Sequence, residues 1–180
     1  MKIFISGGCK NGKSSFAQDI AKKLAGNSKL YYFATMIPRD DEDRLRIKKH
    51  IQNRVGMGFE TIEVGKDIAS CLDKVDKEAT FLLDSVTALL QNEMFSPDFE
   101  NYIDPNAIER TKNSLLLFIK TVKNAVFVSD YIYSDASTFE ASTETYRAGL
   151  AELDKMLARE CDTVIEVCAG NVILHKGVLK

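Results

Sequence analysis

The chain has 180 residues, 45% hydrophobic and 28% charged, a balance that excludes a chain disordered throughout, a collagen-like repeat and a coiled-coil rod. That length fits one domain, residues 1–180, and leaves no room for a second core. With 24 Lys and Arg against 26 Asp and Glu, the net charge of -2 argues against a general nucleic-acid-binding surface but allows a local basic patch.

Residues 2–6 (KIFIS) are β-branched and aromatic and stop at two glycines, as a buried strand feeding a tight turn should. From Lys13 the period changes: Phe16, Ala17, Ile20, Ala21 and Leu24 recur at helical spacing until Gly26 ends the run. The alternation repeats, predicting a strand over 30–35, a helix over 40–55, a strand over 59–64 and a short helix over 67–75. A strand over 81–84 ends in an acid and leads into a helix over 85–95. A surface loop over 96–104 precedes a longer helix over 105–123, opened by Asp104 ahead of a proline. Then come a strand over 125–130, a polar irregular segment over 131–140 and a helix over 144–161. Two last strands, 163–168 and 171–175, are joined by Ala169-Gly170, short enough for an antiparallel hairpin.

The alternation predicts an α/β fold: a mostly parallel sheet flanked by helices, with a C-terminal antiparallel hairpin. No segment approaches the roughly 18 apolar residues of a membrane span, and the first strand starts directly after Met1. Cys9, Cys71, Cys161 and Cys168 form no CxxC pair. A cytoplasmic protein with reduced thiols is expected.

Gly7-Gly8-Cys9-Lys10-Asn11-Gly12-Lys13-Ser14 satisfies every fixed position of G-x-x-x-x-G-K-[ST], between a strand and a helix. The glycines let backbone N–H groups fold around phosphate oxygens, and the following helix points its positive end at them. Lys13 reaches the β- and γ-phosphates, Ser14 is a Mg²⁺ ligand, and Ser15 continues the loop into the helix. This makes the fold a single P-loop NTPase-like domain binding GTP or ATP. The acid at the end of Phe81-Leu82-Leu83-Asp84 has two possible roles: N-cap of the next helix, or the second Mg²⁺ ligand beside Ser14. The loop favours the metal role, and both can be filled at once.

Of two histidines, His175 lies in the terminal strand with no recognisable partner and reads as structural or surface-exposed. On the helix over 40–55, Ile47, Ile51 and Val55 form the expected core stripe, with Arg46, His50 and Arg54 along a band beside it. Two cations one turn either side of an imidazole suit an anionic group such as a triphosphate, with the ring as nucleophile. Taken alone, the same pattern is also an ordinary solvated helix rim.

The chain resembles the bifunctional adenosylcobinamide kinase and adenosylcobinamide-phosphate guanylyltransferase family of cobalamin biosynthesis. The resemblance rests on Ile5-Ser6-Gly7-Gly8 with the loop through Lys13-Ser14, Tyr32-Phe33-Ala34-Thr35, Asp41-Glu42 and Arg46-Ile47-x-x-His50. It continues through Thr61-x-Glu63, Leu83-Asp84-Ser85-x-Thr87, Asn92, and Gly149, Leu157 and Ala158 before the strands from Val164. It implies that His50 accepts GMP from GTP as a phosphoramidate and passes it to a cobinamide phosphate, and that the enzyme also phosphorylates adenosylcobinamide. Gly7 to Ser14 would be the nucleotide loop, with Lys13 acting on the phosphates; Asp84 and Ser14 would hold Mg²⁺; Arg46 and Arg54 would bind the GTP phosphates. A homotrimer is implied too. Three features depart from the family: Asp130-Tyr131-Ile132-Tyr133 replaces Asn-Glu-Val-Gly, Ile51 follows the histidine where arginine is often found, and there is no tryptophan. Two other readings stay open: a diverged relative with one half-reaction or another substrate, and a non-catalytic protein whose P-loop gates a partner.

Overall fold

The computed structural model describes residues 1–95, 103, 104 and 106–179. The elements in chain order are β1 (Lys2–Gly7), α1 (Lys13–Ala25), β2 (Leu30–Ala34), α2 (Asp41–Asn53), β3 (Glu60–Glu63), a 3-10 turn (Ile68–Cys71) and β4 (Thr80–Asp84). They continue with α3 (Val86–Met94), α4 (Ala107–Thr121), β5 (Asn124–Asp130), α5 (Ala141–Glu160), β6 (Thr163–Cys168) and β7 (Asn171–Lys176). The seven strands form one sheet in the order β3-β2-β4-β5-β1-β6-β7. All pairs are parallel except β6 with β7. Positive φ at Ala169 (49°) and Gly170 (77°) makes the tight turn that brings β7 back.

Strand side chains alternate between two faces, and both faces of the central strands are apolar. Ile3, Ile5, Leu82, Val126, Val128 and Ile165 pack with Ala17 and Ala21 of α1. Phe4, Phe81, Leu83 and Phe127 point the other way, toward α3, α4 and α5. The second core is built on aromatic rings: Phe118 of α4 lies 5.4 Å from Phe33 and 5.2 Å from Phe81, centroid to centroid. The parallel strands thereby end together at one edge, where Gly7 of β1 pairs with Asp130 of β5, and Ala34 of β2 with Asp84 of β4.

Four expectations need correction. The predicted core stripe of α2 is not a core: the helix buries no residue, and Ile51 and Val55 are 50% and 77% exposed. Its flanking strand β3 is four residues long, with Glu60, Thr61 and Glu63 all exposed, and offers no apolar face to receive the helix. The short helix over 67–75 shrinks to the 3-10 turn, of which only Ile68 is buried. His175 does have a partner: its Nε2 lies 2.9 Å from Glu166 Oε2 across the hairpin. Helix α5 also starts three residues ahead of its predicted 144, at Ala141. The loop predicted over 96–104 lies, for residues 96–102, outside the described residues, as does Pro105, and α4 is described from Ala107. Among the described residues no helix is long and apolar enough to cross a membrane.

Candidate functional site

The P-loop leaves β1 at Gly7 and enters α1 through Gly12, whose φ of 87° is left-handed backbone that glycine adopts without strain. Gly7 is required for another reason. A Cβ there would meet the backbone carbonyl of Val167 on β6 and stand 2.9 Å from Lys13 Cδ. Lys13 is only 5% exposed, and its ammonium donates to Gly8 O and to Asp130 Oδ1, both at 2.6 Å. Lys13 is therefore folded back into the loop and paired with the carboxylate at the tip of β5.

Beyond these strand ends lies a cavity of about 860 Å³. Cys9, Lys10, Asn11, Gly12, Lys13, Ser14 and Ser15 form one wall; Arg46, His50 and Arg54, from α2 and its C-cap, form the other. Asp84 and Asp130 lie on the floor between them. The structure thus gathers in one cavity every residue singled out from the sequence except Gly7 and Gly8 at the start of the loop. Arg46 and His50, more than thirty residues from the P-loop in sequence, thus line the same cavity as the loop.

Asp84 is not the helix cap. Ser85 takes that role, its Oγ accepting from the Ala88 N–H at 3.2 Å. Asp84 turns into the cavity instead, where Tyr32 OH donates to Oδ2 at 2.8 Å. Burial, then the neighbouring Asp84 charge, hold the Tyr32 phenol far above its ordinary pKa, so it stays a donor. Arg54 is buried with its guanidinium carbon 3.5 Å above the Tyr32 ring centroid, a cation–π contact, and lines the cavity. Arg46 is exposed and already paired, 2.9 Å from Glu42 and 3.7 Å from Asp43 on its own helix. His50 is half-buried on the cavity wall.

Ser14 and Asp84 supply hydroxyl and carboxylate oxygens, hard donors suited to Mg²⁺ held by one or two protein ligands together with substrate phosphates. No cluster of three or more His, Cys, Asp or Glu side chains among the described residues suggests an all-protein metal cage.

Other motif residues hold the site together. Thr35 Oγ1 donates to Ser85 O at 2.8 Å and accepts the Ser85 N–H at 2.7 Å. Asn92 Nδ2 donates to Thr35 O at 2.7 Å and Gly65 O at 3.0 Å, tying the ends of two strands, β2 and β3, to α3. Thr87 Oγ1 accepts the Asp130 N–H at 2.8 Å, fixing the tip of β5 to α3. In the segment that departs from the family, Tyr131 donates to Glu166 Oε1 at 3.1 Å and Tyr133 to Asp154 Oδ2 at 2.9 Å. These tyrosines anchor the segment to β6 and α5 and do not line the cavity. Sequence reading missed Tyr32 and Asp130 as site residues. Asp130 carried the same signal as Asp84, an acid closing an apolar strand.

The sequence pattern of the cobinamide kinase / cobinamide phosphate guanyltransferase family matches residues 3–174. No curated protein matches significantly. Among solved structures, a KaiC-like protein from Pyrococcus horikoshii is similar at 12% identity, with a TM-score of 0.54 over 98% of this chain and 78% of that one. A solved ATPase domain is similar at 11% identity, with a TM-score of 0.51 over 92% of this chain and 68% of that one. At these identities the likeness is one of fold: a P-loop NTPase-like sheet and its flanking helices.

Proposed function

We propose, because this chain belongs to the cobinamide kinase / cobinamide phosphate guanyltransferase family, that it carries out both reactions of adenosylcobinamide activation as a single domain in this one cavity. In the first, the hydroxyl of adenosylcobinamide takes the γ-phosphoryl group of GTP or ATP. In the second, the cobinamide phosphate takes GMP from GTP through a guanylyl-histidine, giving adenosyl-GDP-cobinamide. The observation that carries this reading is the facing of His50 and the P-loop across one cavity, with Arg54 beside the histidine.

In the transferase half, a ring nitrogen of His50 attacks the α-phosphorus of GTP. An N–P bond forms and the bond from Pα to the bridging oxygen breaks, so pyrophosphate leaves with the electron pair. A phosphate oxygen of the cobinamide phosphate then attacks the same phosphorus, the N–P bond breaks, and His50 is regenerated. Arg54, with Arg46 once it leaves Glu42, meets the charge that grows on the departing pyrophosphate. In the kinase half, Lys13 and the loop N–H groups bind the β- and γ-phosphates. Ser14 and Asp84 are the residues that would hold Mg²⁺, which when bound neutralises phosphate charge. The family reading also extends to a homotrimer; the exposed apolar side chains of β7, Val172, Ile173 and Leu174, are a surface that such an assembly could cover.

The test is to incubate the protein with Mg²⁺ and GTP labelled at the α-phosphate, beside α-labelled ATP, and recover the denatured chain. Acid-labile, alkali-stable label from GTP that disappears in His50→Asn is expected. Absence of label in a protein that binds GTP would overturn the transferase assignment and leave a kinase or a nucleotide-gated binding protein.

A further inference from the structure

Tyr32 has no part in either half-reaction described so far, yet it touches residues assigned to both. We infer that Tyr32 is a positioning residue with two ends: its hydroxyl aims the Asp84 carboxylate for the metal-bound nucleotide, and its ring face sets Arg54 and the end of α2 that carries His50. This rests on the functional reading given above.

The hydroxyl end follows from the sheet. In the β2–β4 register Tyr32 pairs with Leu82, two residues short of Asp84. Residues two apart on a strand share a face, so Tyr32 and Asp84 stand on the same side of neighbouring strands. The tyrosine is only 3% exposed, packed with Leu82 in the core against α1, and from there its hydroxyl reaches Asp84 Oδ2 at 2.8 Å. Among the described residues no other side chain bonds this carboxylate. A carboxylate held at one oxygen no longer rotates freely, and Oδ1 is left for the cation. Outer hydrogen bonds of this kind orient ligating carboxylates and tune the metal they hold.

The ring end holds a helix that has little else to hold it. Helix α2 buries no residue, and its C-cap Arg54 is the buried side chain that follows His50 by one turn. The Arg54 guanidinium carbon lies 3.5 Å over the Tyr32 ring centroid, and its Nη2 is 3.5 Å from Oγ1 of Thr61, the residue level with Tyr32 on β3. Phe59 meets the same ring edge-on at 5.8 Å and braces it. Cation–π contacts strengthen as they are desolvated, and both partners here are buried. The two ends are chemically separable: Tyr32→Phe removes the hydroxyl and keeps the platform, whereas Tyr32→Leu removes both.

Mn²⁺ in place of Mg²⁺ is titrated, with detection by electron paramagnetic resonance, into the chain saturated with a non-hydrolysable GTP analogue. Tyr32→Phe is expected to weaken Mn²⁺ binding about tenfold or more, the usual cost of removing an outer partner of a metal ligand. Asp84→Asn sets the upper limit of that loss, and a cooperative melting transition shows that each variant is folded. Labelling of His50 from GTP labelled at the α-phosphate is then followed in a single turnover at saturating Mg²⁺. The rate in Tyr32→Leu should lie at least about tenfold below that in Tyr32→Phe, because only the leucine variant removes the surface under Arg54. Tyr32→Met, with its adaptable side chain, replaces the leucine variant if that one does not fold. Mn²⁺ affinity in Tyr32→Phe within twofold of the unaltered chain would overturn the Asp84 end of the proposal. Equal labelling rates in the phenylalanine and leucine variants would overturn the Arg54 end. Absence of label in the unaltered chain would refute the functional reading and the Arg54 end with it, while the Mn²⁺ titration, which needs only bound nucleotide, decides on Asp84.

Discussion

A carboxyl group buried under the tip of β5 makes the stability of this chain depend on pH in an unusual direction. Asp154 on α5 is 4% exposed; its Oδ2 accepts from Tyr133, and its Oδ1 has no hydrogen-bond partner among the described residues. Burial pushes its pKa from 3.8 up to about 7, the Ser129 and Tyr133 hydroxyls pull back, and the Asp130 charge adds to the rise. Between these two values the folded chain holds a proton that the unfolded chain has released, so stability falls as pH rises toward 7 and levels off above it. At about 1.4 kcal/mol per pH unit, the loss across that span is about 4 kcal/mol. Asp154→Asn cannot ionise. Whatever fixed cost its amide brings, its stability relative to the unaltered chain should improve by about 4 kcal/mol between pH 4 and pH 8. Urea denaturation at half-unit pH steps measures this; with a slope of 1–3 kcal/mol per molar, the midpoints should move apart by roughly 2 M. A stability difference that stays constant over that range would refute the account and show that Asp154 is ionised in the fold.

Two further predictions concern the scaffold of the site. Asn92→Ala strips donors from two carbonyls, Thr35 O and Gly65 O, at a buried position, and should cost about 2–5 kcal/mol in chemical denaturation. A loss under about 0.5 kcal/mol would mean that those carbonyls find other donors. Gly7→Ala places a methyl group against Val167 O and the Lys13 stem. It should weaken nucleotide binding at least tenfold, read by titration with a fluorescent GTP analogue, in a chain of lowered melting temperature. Unchanged affinity would refute the close-approach role of this glycine.

Much of the site was legible because its parts are local. The P-loop, its strand and the start of its helix occupy 13 consecutive sequence positions from Lys2 to Ser14, and strand period, glycine spacing and the onset of the helix all fall within that window. The i, i+4, i+8 series of Arg46, His50 and Arg54 was equally visible, but its meaning was not. The same helix carries apolar residues that promised burial, and only the sheet shows that β3 leaves them nothing to pack on. That Asp84 is not the helix cap likewise rests on one hydrogen bond, from Ala88 to Ser85, that no pattern predicts.

The sequence by itself determined the alternating α/β order, the antiparallel hairpin at Ala169-Gly170 and the candidate residues for phosphate chemistry, since each depends on periodicity or backbone freedom over a few neighbours. The tertiary structure decided which of those residues face one another. Asp130 lies 117 residues from Lys13 along the chain and 2.6 Å from it in space, because β5 is inserted between β4 and β1. Strand order is set by how whole faces pack on two cores, a property of the complete chain that no short window contains.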